Sequence, residues 1–225
     1  MTALLEARGV GRRAPGGAGP EERWLLRGVS VAIESGERIA IVGPTGAGKT
    51  VLLRAMALLD PVDEGEVLWR GRLIDNAGVP GFRRRAIYLH QRPALVEGTV
   101  ESNLRRPFGF AVSNGGYDPA RVRETLAALG RDESFLAKLA ADLSGGEAQI
   151  AAFLRAIQLD PRALLLDEPT AALDREAASA IERLVEGWFA AGAGERALVW
   201  VSHDHDQARR MAARVIGLSG GRTAA

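Results

Sequence analysis

The chain of 225 residues contains no cysteine, and this absence excludes thiol chemistry and cysteine-ligated zinc. Its 29 Lys and Arg residues nearly balance 28 Asp and Glu residues, so no large basic surface points to a nucleic-acid partner. No apolar run approaches the length of a membrane span, and the apolar part of the first residues is too short for a signal peptide. We therefore expect a cytosolic protein, or one held at a membrane by a partner, with a single sizeable core.

The clearest motif that is present is GPTGAGKT at residues 43–50, which fits the phosphate-binding pattern G-x-x-x-x-G-K-[ST] at every position. RIAIV before it predicts a strand and VLLRAMALL after it predicts a helix. The alternative, a glycine-rich turn before a core helix, does not require this order of strand, loop, Lys-Thr and helix. Glycines let the backbone point its N–H groups inward, and the helix adds the positive end of its dipole. We predict that Lys49 contacts the β and γ phosphates and that the Thr50 hydroxyl ligates Mg²⁺. The nucleotide-binding set predicted here is Gly43, Pro44, Thr45, Gly46, Ala47, Gly48, Lys49, Thr50 and Val51.

Two acids end the segment ALLLDEP, residues 163–169. Four apolar residues predict a buried parallel strand, and the acids fall at the edge where open α/β sheets bind ligands. Asp167 is the expected Mg²⁺ partner, directly or through water. Glu168 lies on the opposite side of the strand and is the candidate general base for the water that attacks the γ phosphate. A solvated turn or helix cap is the alternative, which the phosphate-binding loop makes less favourable.

A third motif, LSGGEAQ at residues 143–149, predicts a second anion site. Ser144 and Glu147 have the spacing of a capping box, opening a helix that continues to Asp160 and Pro161. A cap alone leaves the double glycine unexplained, and a helix start with two glycines and an exposed serine can bind an anion. Because the chain already has one phosphate loop, we infer that this second site serves a nucleotide held by a partner copy. Its residues are Ser144, Gly145, Gly146 and Glu147.

With these motifs the sequence resembles the ATP-binding cassette (ABC) family over nearly its whole length. The resemblance implies ATP and Mg²⁺ as cofactors and a homodimer that closes on ATP. Gln91 in YLHQRP is similar to the family's Q-loop glutamine at the magnesium site. Asp174 in AALD is similar to the D-loop aspartate near the dimer interface, and His203 in LVWVSHD to the switch histidine that touches the γ phosphate. The resemblance thus implies catalytic roles for Glu168, His203 and Gln91.

The chain departs from the family pattern at the adenine contact and at two smaller positions. Where an aromatic residue usually stacks on adenine, this chain offers Arg12 or Arg13, and a guanidinium can stack on a purine ring. Arg13 is included in the nucleotide-binding set, while Trp24 is the other candidate unless it is a core or hairpin aromatic. Val51 replaces a frequent second hydroxyl residue, and Ile150 replaces the usual arginine after the signature.

Alternating strands and helices predict an α/β P-loop NTPase fold, with a mostly parallel sheet covered by helices on both faces. A peripheral antiparallel part includes the pair GEVLWRGRLI joined at Gly71. We expect one domain over residues 1–225, with a nucleotide-binding core formed by 1–90 and 160–225 and a helical subdomain formed by 91–159. Arg83–Arg85 is predicted to be a solvated turn. The cluster from His203 to Asp206 is interpreted as a switch histidine followed by a helix cap rather than as a transition-metal site. No regulatory domain is expected after Arg222.

Within the ABC family, the chain is most similar to the small ATP-binding subunits of iron-export-type transporters, whose relatives include plant aluminium-tolerance cassettes. The similarity lies in the segment QRPALVEGTVESNL, in the segment after LVWVSHD and in the short length of the chain. This resemblance implies a separate membrane permease at the cytoplasmic face of the inner membrane and a metal or small-solute cargo. We hypothesise that Arg92–Arg106 docks on the permease through Leu95, Val96 and Val100. The ATPase of an importer or of a lipoprotein-release system is the main alternative. Soluble non-transport cassettes, which carry long inserts or paired cassettes, and ordinary P-loop kinases fit less well.

Overall fold

Two β-sheets organise the protein in the computed structural model, which describes residues 2–15, 23–111 and 115–223. The strands of this part of the chain are β1 (Leu5–Arg13), β2 (Trp24–Ile33), β3 (Arg38–Val42), β4 (Glu64–Trp69), β5 (Arg72–Leu73), β6 (Ala86–Leu89), β7 (Ala163–Asp167), β8 (Ala197–Val201), β9 (Arg214–Ser219) and β10 (Arg222–Thr223). The central sheet has the order β10-β9-β3-β8-β7-β6 and is parallel except for the β9–β10 hairpin. Strands β7 and β8 are buried along their whole length, as a parallel sheet covered on both faces requires.

The second sheet is antiparallel, with the order β2-β1-β4-β5. It contains the predicted pair β4–β5, joined at Gly71 in a left-handed conformation with φ of 73°. It also contains β1 and β2, so the antiparallel part is larger than the one pair that the sequence specified. The pairing of β1 with β2 shifts register several times, around Gly9 and Gly11, so β1 has no regular alternation to signal a strand.

Seven α-helices occur in the described residues, and the predicted ones are confirmed. They are α1 (Lys49–Met56), α2 (Val79–Arg85), α3 (Val100–Arg105), α4 (Pro119–Ala128), α5 (Gly145–Ile157), α6 (Arg175–Ala190) and α7 (His205–Met211). None of the helices in this part of the chain is long and apolar enough to cross a membrane. The helix after the signature stops at Ile157, shortly before the predicted end at Asp160. The division into core and helical subdomain stays a prediction.

Alternate residues of the central strands face two separate apolar clusters. Leu165 of β7 packs with Leu52 and Leu53 of α1 and with the antiparallel sheet. Its neighbours Leu164 and Leu166 pack on the other side, with the residues of α5 and α6. Side chains alternate between the two faces of a strand, so β7 directs Asp167 to the same face as Leu165, the face that α1 covers. Ile150 is fully buried in the second cluster, where an arginine would find no water.

The prediction of a solvated turn at Arg83–Arg85 is wrong, because these residues form the last turn of α2. Phe82 is buried and packs edge-on against Trp69, with 5.4 Å between ring centroids. Burial of this ring anchors the helix although Gly81 disfavours one locally, whereas Pro80 stands in the first turn, where proline is tolerated. Tertiary packing therefore overrides local propensity here.

Candidate nucleotide-binding site

The phosphate loop connects β3 to α1, and its glycines are required by close backbone packing. Gly43 and Gly48 have φ of 157° and 99°. A Cβ on Gly43 would overlap the carbonyl oxygen of Leu218, and one on Gly48 would lie 2.7 Å from the carbonyl oxygen of Leu25. Side chains at these two positions would thus push the loop away from β9 and β2. The loop forms a backbone cradle of the kind that fits polyphosphate.

Lys49 places its ammonium group inside this loop. The residue is 8% exposed, and Nζ donates hydrogen bonds of 2.7 Å to the Gly43 carbonyl and 3.0 Å to the Pro44 carbonyl. An ammonium has three donors, so the loop carbonyls leave one for a phosphate oxygen. Solvent reaches the loop at Pro44, Thr45 and Gly46, and Thr50, which follows Lys49, is also exposed. Ala47 is buried. Val51 packs against the apolar core.

Asp167 is a buried carboxylate at the end of β7. It is 2% exposed, and the Tyr88 hydroxyl donates to its Oδ2 at 3.0 Å. Burial, and secondarily Asp167, raise the pKa of Tyr88, so the phenol is protonated and donates at neutral pH. A buried carboxylate with one phenolic donor keeps acceptor capacity for a cation, and α1, which carries the Thr50 hydroxyl, packs against β7. These oxygen ligands fit Mg²⁺. Tyr88 was not among the predicted site residues.

Three residues from separate segments meet at one carboxylate oxygen. Gln91 Nε2 donates to Glu168 Oε2 at 3.0 Å, and His203 Nδ1 lies 3.5 Å from the same oxygen. The Glu168 side chain is 19% exposed and that of His203 is 72% exposed, so the histidine forms the open side of the group. The structure therefore brings together the three residues for which catalytic roles are predicted.

The backbone at Glu168 is held in an unfavourable conformation. Its φ is 47°, in the left-handed region, which costs a non-glycine residue about 1–3 kcal/mol. The Glu168 N–H donates to the Val201 carbonyl at 3.1 Å, which ties the turn after β7 to the end of β8. This bond fixes the position from which the Glu168 side chain reaches Gln91 and His203.

A buried glutamine that the sequence analysis missed supports the loop carrying His203. Gln207 Oε1 accepts from the Ser202 hydroxyl at 2.9 Å, and its Nε2 donates to Thr170 Oγ1 and Glu182 Oε1, both at 2.8 Å. It thereby links the turn after β8 to the turn after β7. Asp204 caps α7 by accepting from the backbone N–H of Gln207, which confirms the predicted helix cap.

The signature segment forms the predicted capping box at the start of α5. The Glu147 N–H donates to Ser144 Oγ at 3.2 Å, and the Ser144 N–H donates to Glu147 Oε2 at 3.0 Å. Ser144 and Gly145 are exposed. A Cβ on Gly146 would lie 3.1 Å from the Ala172 carbonyl oxygen, so this glycine permits α5 to approach the segment before Asp174.

Asp174 and the signature residues lie apart from the phosphate loop of their own chain. Asp174 is exposed and caps α6, accepting from the Ala177 N–H at 2.8 Å. Within the part of the chain that the structure describes, no hydrogen bond or ion pair joins Asp174 or the segment Ser144–Glu147 to Lys49, Asp167 or Glu168. The second predicted anion site is thus separate from the first in one copy.

The capping box predicts a specific dependence of stability on pH. The hydrogen bond from Lys138, assisted by the Ser144 N–H, lowers the pKa of Glu147 from 4.5 to about 2. Because the folded pKa lies below the unfolded one, the ionised carboxylate stabilises the fold above pH 4.5, and this contribution is lost as the pH falls towards 2. We expect Glu147→Gln to lose unfolding free energy less steeply over this range than the wild type, as measured by urea unfolding at a series of pH values.

The control for this experiment is Glu186→Gln, because Glu186 is exposed on α6. This variant should keep the pH dependence of the wild type. Equal slopes for Glu147→Gln and the wild type below pH 4.5 would contradict the stabilising role of the ionised carboxylate.

Two of the candidates for the adenine contact, Arg13 and Trp24, lie next to each other on the antiparallel sheet. Arg13 and Trp24 are directly paired across β1 and β2, and the Arg13 guanidinium lies 4.9 Å from the Trp24 ring centroid. Arg12 instead forms an ion pair with Asp63, with 3.2 Å between Nη1 and Oδ2. Arg13 and Trp24 therefore offer one stacked surface. The predicted first loop continues into residues 16–22, which lie outside the described residues.

Comparison with known proteins finds one matching family and many similar chains. The model of the family described as ABC transporter matches residues 26–171. The Fe(3+) ions import ATP-binding protein FbpC 3 of Rhodococcus jostii (strain RHA1) is 38% identical over 100% of this chain and 62% of its own length. The phosphate import ATP-binding protein PstB 2 of Natronomonas pharaonis is 36% identical over 88% of this chain and 72% of its own length. The chain thus spans 62% of the length of the FbpC relative.

Among solved structures, the chain is similar to the bacterial ABC transporter cassette MJ0796. Its dimeric structure matches with a TM-score of 0.87 and 28% identity, covering 99% of this chain and 97% of the other. A dimeric post-hydrolysis state of the same cassette, bound to ADP and Pi, matches with a TM-score of 0.83 and 29% identity over the same shares of the two chains. The predicted P-loop NTPase fold is therefore confirmed.

Proposed function

This chain belongs to the ABC transporter family, and from that premise we propose that it binds ATP with Mg²⁺ and hydrolyses it to ADP and phosphate in a homodimer. The observation that carries the proposal is the meeting of Gln91 and His203 at one oxygen of Glu168, at the edge of the sheet where Asp167 also ends its strand. The post-hydrolysis structure of a similar cassette bound to ADP and Pi supports the same reaction.

In this proposal the phosphate loop binds the triphosphate. The backbone N–H groups of residues 43–51 other than Pro44 donate to the phosphate oxygens, and the Lys49 ammonium offsets the charge of the β and γ phosphates. The stacked Arg13 and Trp24 hold the adenine. Thr50, Asp167 and Gln91 are the residues that would hold Mg²⁺. The bound ion supplies positive charge that offsets the charge developing on the phosphate oxygens.

Glu168 acts as the general base. Its Oε2, held by Gln91, accepts a proton from the water that attacks the γ phosphorus, while the bond to the β–γ bridging oxygen breaks. The exposed ring of His203 lies beside the same oxygen and is placed to contact a γ phosphate oxygen. Positioning of the water and electrostatic stabilisation provide the rate enhancement.

A second copy completes the site in this proposal. Ser144 is exposed at the start of α5, so Ser144 Oγ and the backbone N–H groups of Gly145, Gly146 and Glu147 can close over a nucleotide bound to the partner. Gly146 packs against Ala172, which connects the signature to the backbone leading to Asp174 at the dimer interface. The dimeric structure of the similar cassette MJ0796 supports this arrangement.

We further propose that the dimer drives a separate membrane permease, two copies of each, from the cytoplasmic face of the inner membrane. The sequence resemblance favours export of iron or another metal. The names of the relatives instead support the importer alternative, since one is an Fe(3+) ions import protein and another a phosphate import protein. Gentle extraction from native membranes followed by mass spectrometry should recover one polytopic partner. Vesicles reconstituted with that partner then decide the direction of transport.

The docking hypothesis for Arg92–Arg106 changes in one respect. Val100 is fully buried in the second apolar cluster and is not available to a partner. Leu95 and Val96 are half-buried, and Asn103 holds the Val96 backbone through two hydrogen bonds of 2.9 Å. Substitution of these apolar residues would therefore disturb the fold as well as a contact. Ala94 and Glu97 are exposed and test the surface directly.

We expect Ala94→Arg and Glu97→Arg to weaken association with the permease by about tenfold or more, because each places an unpaired cation at the contact. The ATPase activity of the isolated subunit should not change, since both side chains face solvent. Copurification and permease-coupled ATPase activity measure the effect, with Glu186→Arg on α6 as the control. If both variants retained the permease as the wild type does, the docking surface would lie elsewhere.

A further inference from the structure

We propose that Tyr88 is a positioning residue for the Mg²⁺ site: its hydroxyl holds one oxygen of Asp167, so that the other oxygen faces the phosphate loop. This inference rests on the proposed function, because it concerns the metal that the nucleotide brings. Tyr88 lies at no position of the phosphate-loop, acidic-pair or signature motifs. Its role follows from strand pairing alone.

The register of the sheet brings the two side chains together. Strands β6 and β7 pair in parallel, with Tyr88 beside Leu165. Neighbouring residues of paired strands point to the same face, and Asp167, two residues after Leu165, points to that face as well. A tyrosine is long enough to span this offset, and its hydroxyl donates to Asp167 Oδ2 at 3.0 Å. Phenylalanine or an aliphatic residue at position 88 would fill the same space without a donor.

The burial of Asp167 makes this hydrogen bond consequential. The residue is 2% exposed, so water does little to orient the carboxylate. Among the described residues, Tyr88 is the one that donates to this side chain. The last torsion of an aspartate has a broad, nearly two-fold preference, so a single directional donor selects the orientation of the two oxygens. Partners of this kind hold metal ligands in place, and removing one typically costs 10- to 100-fold in metal affinity or activity.

Tyr88 is itself held on two further sides. Its ring packs edge-on against His90, with 5.9 Å between centroids. The ring also packs against the apolar cluster that includes Leu52 and Leu53 of α1. The tyrosine therefore bridges Asp167 and the helix that begins with Lys49 and Thr50. This placement is suited to setting the distance between the two sides of the metal site.

The test compares Tyr88→Phe with Tyr117→Phe in the full-length protein. Tyr117 packs against Phe108 and Arg105, far along the chain from the motifs, so its variant makes the same chemical change outside the site. Three quantities are measured: the affinity for a fluorescent ATP analogue in EDTA, the affinity of the ADP complex for Mn²⁺ by electron paramagnetic resonance, and the Mg²⁺ dependence of ATPase activity. We expect Tyr88→Phe to weaken Mn²⁺ binding about tenfold, with unchanged nucleotide affinity in EDTA and a matching rise in the Mg²⁺ concentration at half-maximal activity.

A rescue variant keeps the test independent of folding. With 4-aminophenylalanine in place of Tyr88, an N–H donor returns, and Mn²⁺ affinity should recover towards that of the wild type. Mn²⁺ binding by Tyr88→Phe equal to that of the wild type would overturn the inference, and so would an equal loss of nucleotide affinity in EDTA, which indicates a structural role. A wild-type protein that binds no ATP analogue contradicts the proposed function and the inference together. If the wild type binds the ATP analogue but Tyr88→Phe keeps wild-type affinity for Mn²⁺, the inference about Tyr88 fails while the proposed nucleotide binding stands.

Discussion

Glu168→Gln should bind ATP as tightly as the wild type but hydrolyse it at least about 100-fold more slowly, and it should accumulate as an ATP-stabilised dimer. General base catalysis contributes about 10²- to 10⁴-fold, and a carboxamide cannot accept the proton of the attacking water. A 100-fold loss corresponds to about 2.7 kcal/mol of activation free energy. The substitution keeps the size of the side chain and an oxygen that can accept from Gln91 Nε2, as Glu168 Oε2 does at 3.0 Å. Binding and chemistry should therefore separate in this variant.

The measurements are phosphate release in the presence of Mg²⁺ and the molar mass of the protein with and without ATP by light scattering. Glu186→Gln makes the same change on the exposed side of α6 and should hydrolyse ATP as the wild type does. Near-normal turnover by Glu168→Gln would remove the general-base role and transfer it to another group near the γ phosphate. A monomer at saturating ATP would count against closure by a second copy.

Much of the candidate site could be predicted because its residues stand at the ends of strongly patterned elements. Apolar runs signalled β3, β7 and β8, and the polar residues after them had to meet at one edge of a parallel sheet. Asp167, Glu168 and His203 were identified on this basis together with the family resemblance. Local chemistry was sufficient for the caps, since the Ser144–Glu147 box requires four consecutive residues and no knowledge of the rest of the fold.

What escaped prediction depends on contacts between segments distant in sequence. Tyr88 and Asp167 are 79 residues apart, and their hydrogen bond follows from the register of β6 on β7, which no local pattern encodes. Gln207 likewise has a supporting role only because it donates hydrogen bonds to Thr170 and Glu182, which are 37 and 25 residues away. The sequence holds no signal for it beyond one polar residue in the helix after His203, and the fold buries that residue. The two candidates for the adenine contact, Arg13 and Trp24, are paired across β1 and β2, a proximity that no local sequence pattern indicates.

These missed contacts share one position in the molecule, around the predicted catalytic residues rather than among them. Motifs identify groups that touch ATP or Mg²⁺, because the ligand chemistry restricts those residue types. The groups that orient them can be any side chain of suitable length on a neighbouring strand or helix. In this chain Tyr88 holds Asp167 and Gln207 holds the turn that carries His203, and both have more than one neighbour to keep them fixed.

Lys49→Ala should lose nucleotide binding about 10- to 100-fold, in contrast to Glu168→Gln. Hydrogen bonds between charged groups contribute about 1.5–3 kcal/mol, and Lys49 is the side chain that places a cation inside the phosphate loop. Binding of a fluorescent ATP analogue measures the loss directly. Thermal unfolding without nucleotide checks that the loop, which also accepts hydrogen bonds from Nζ at Gly43 and Pro44, remains folded.

Stabilisation by ATP gives a second measure of this loss that does not depend on turnover. A ligand at 100 times its Kd stabilises the native state by about 2.7 kcal/mol, and a 100-fold increase in Kd at the same concentration leaves about 0.4 kcal/mol. In EDTA, where hydrolysis does not consume the ligand, ATP should therefore stabilise the wild type and Glu168→Gln alike but barely stabilise Lys49→Ala. Equal stabilisation of all three proteins would show that the triphosphate does not depend on the Lys49 ammonium, and the phosphate cradle would then have to be sought in the backbone of the loop alone.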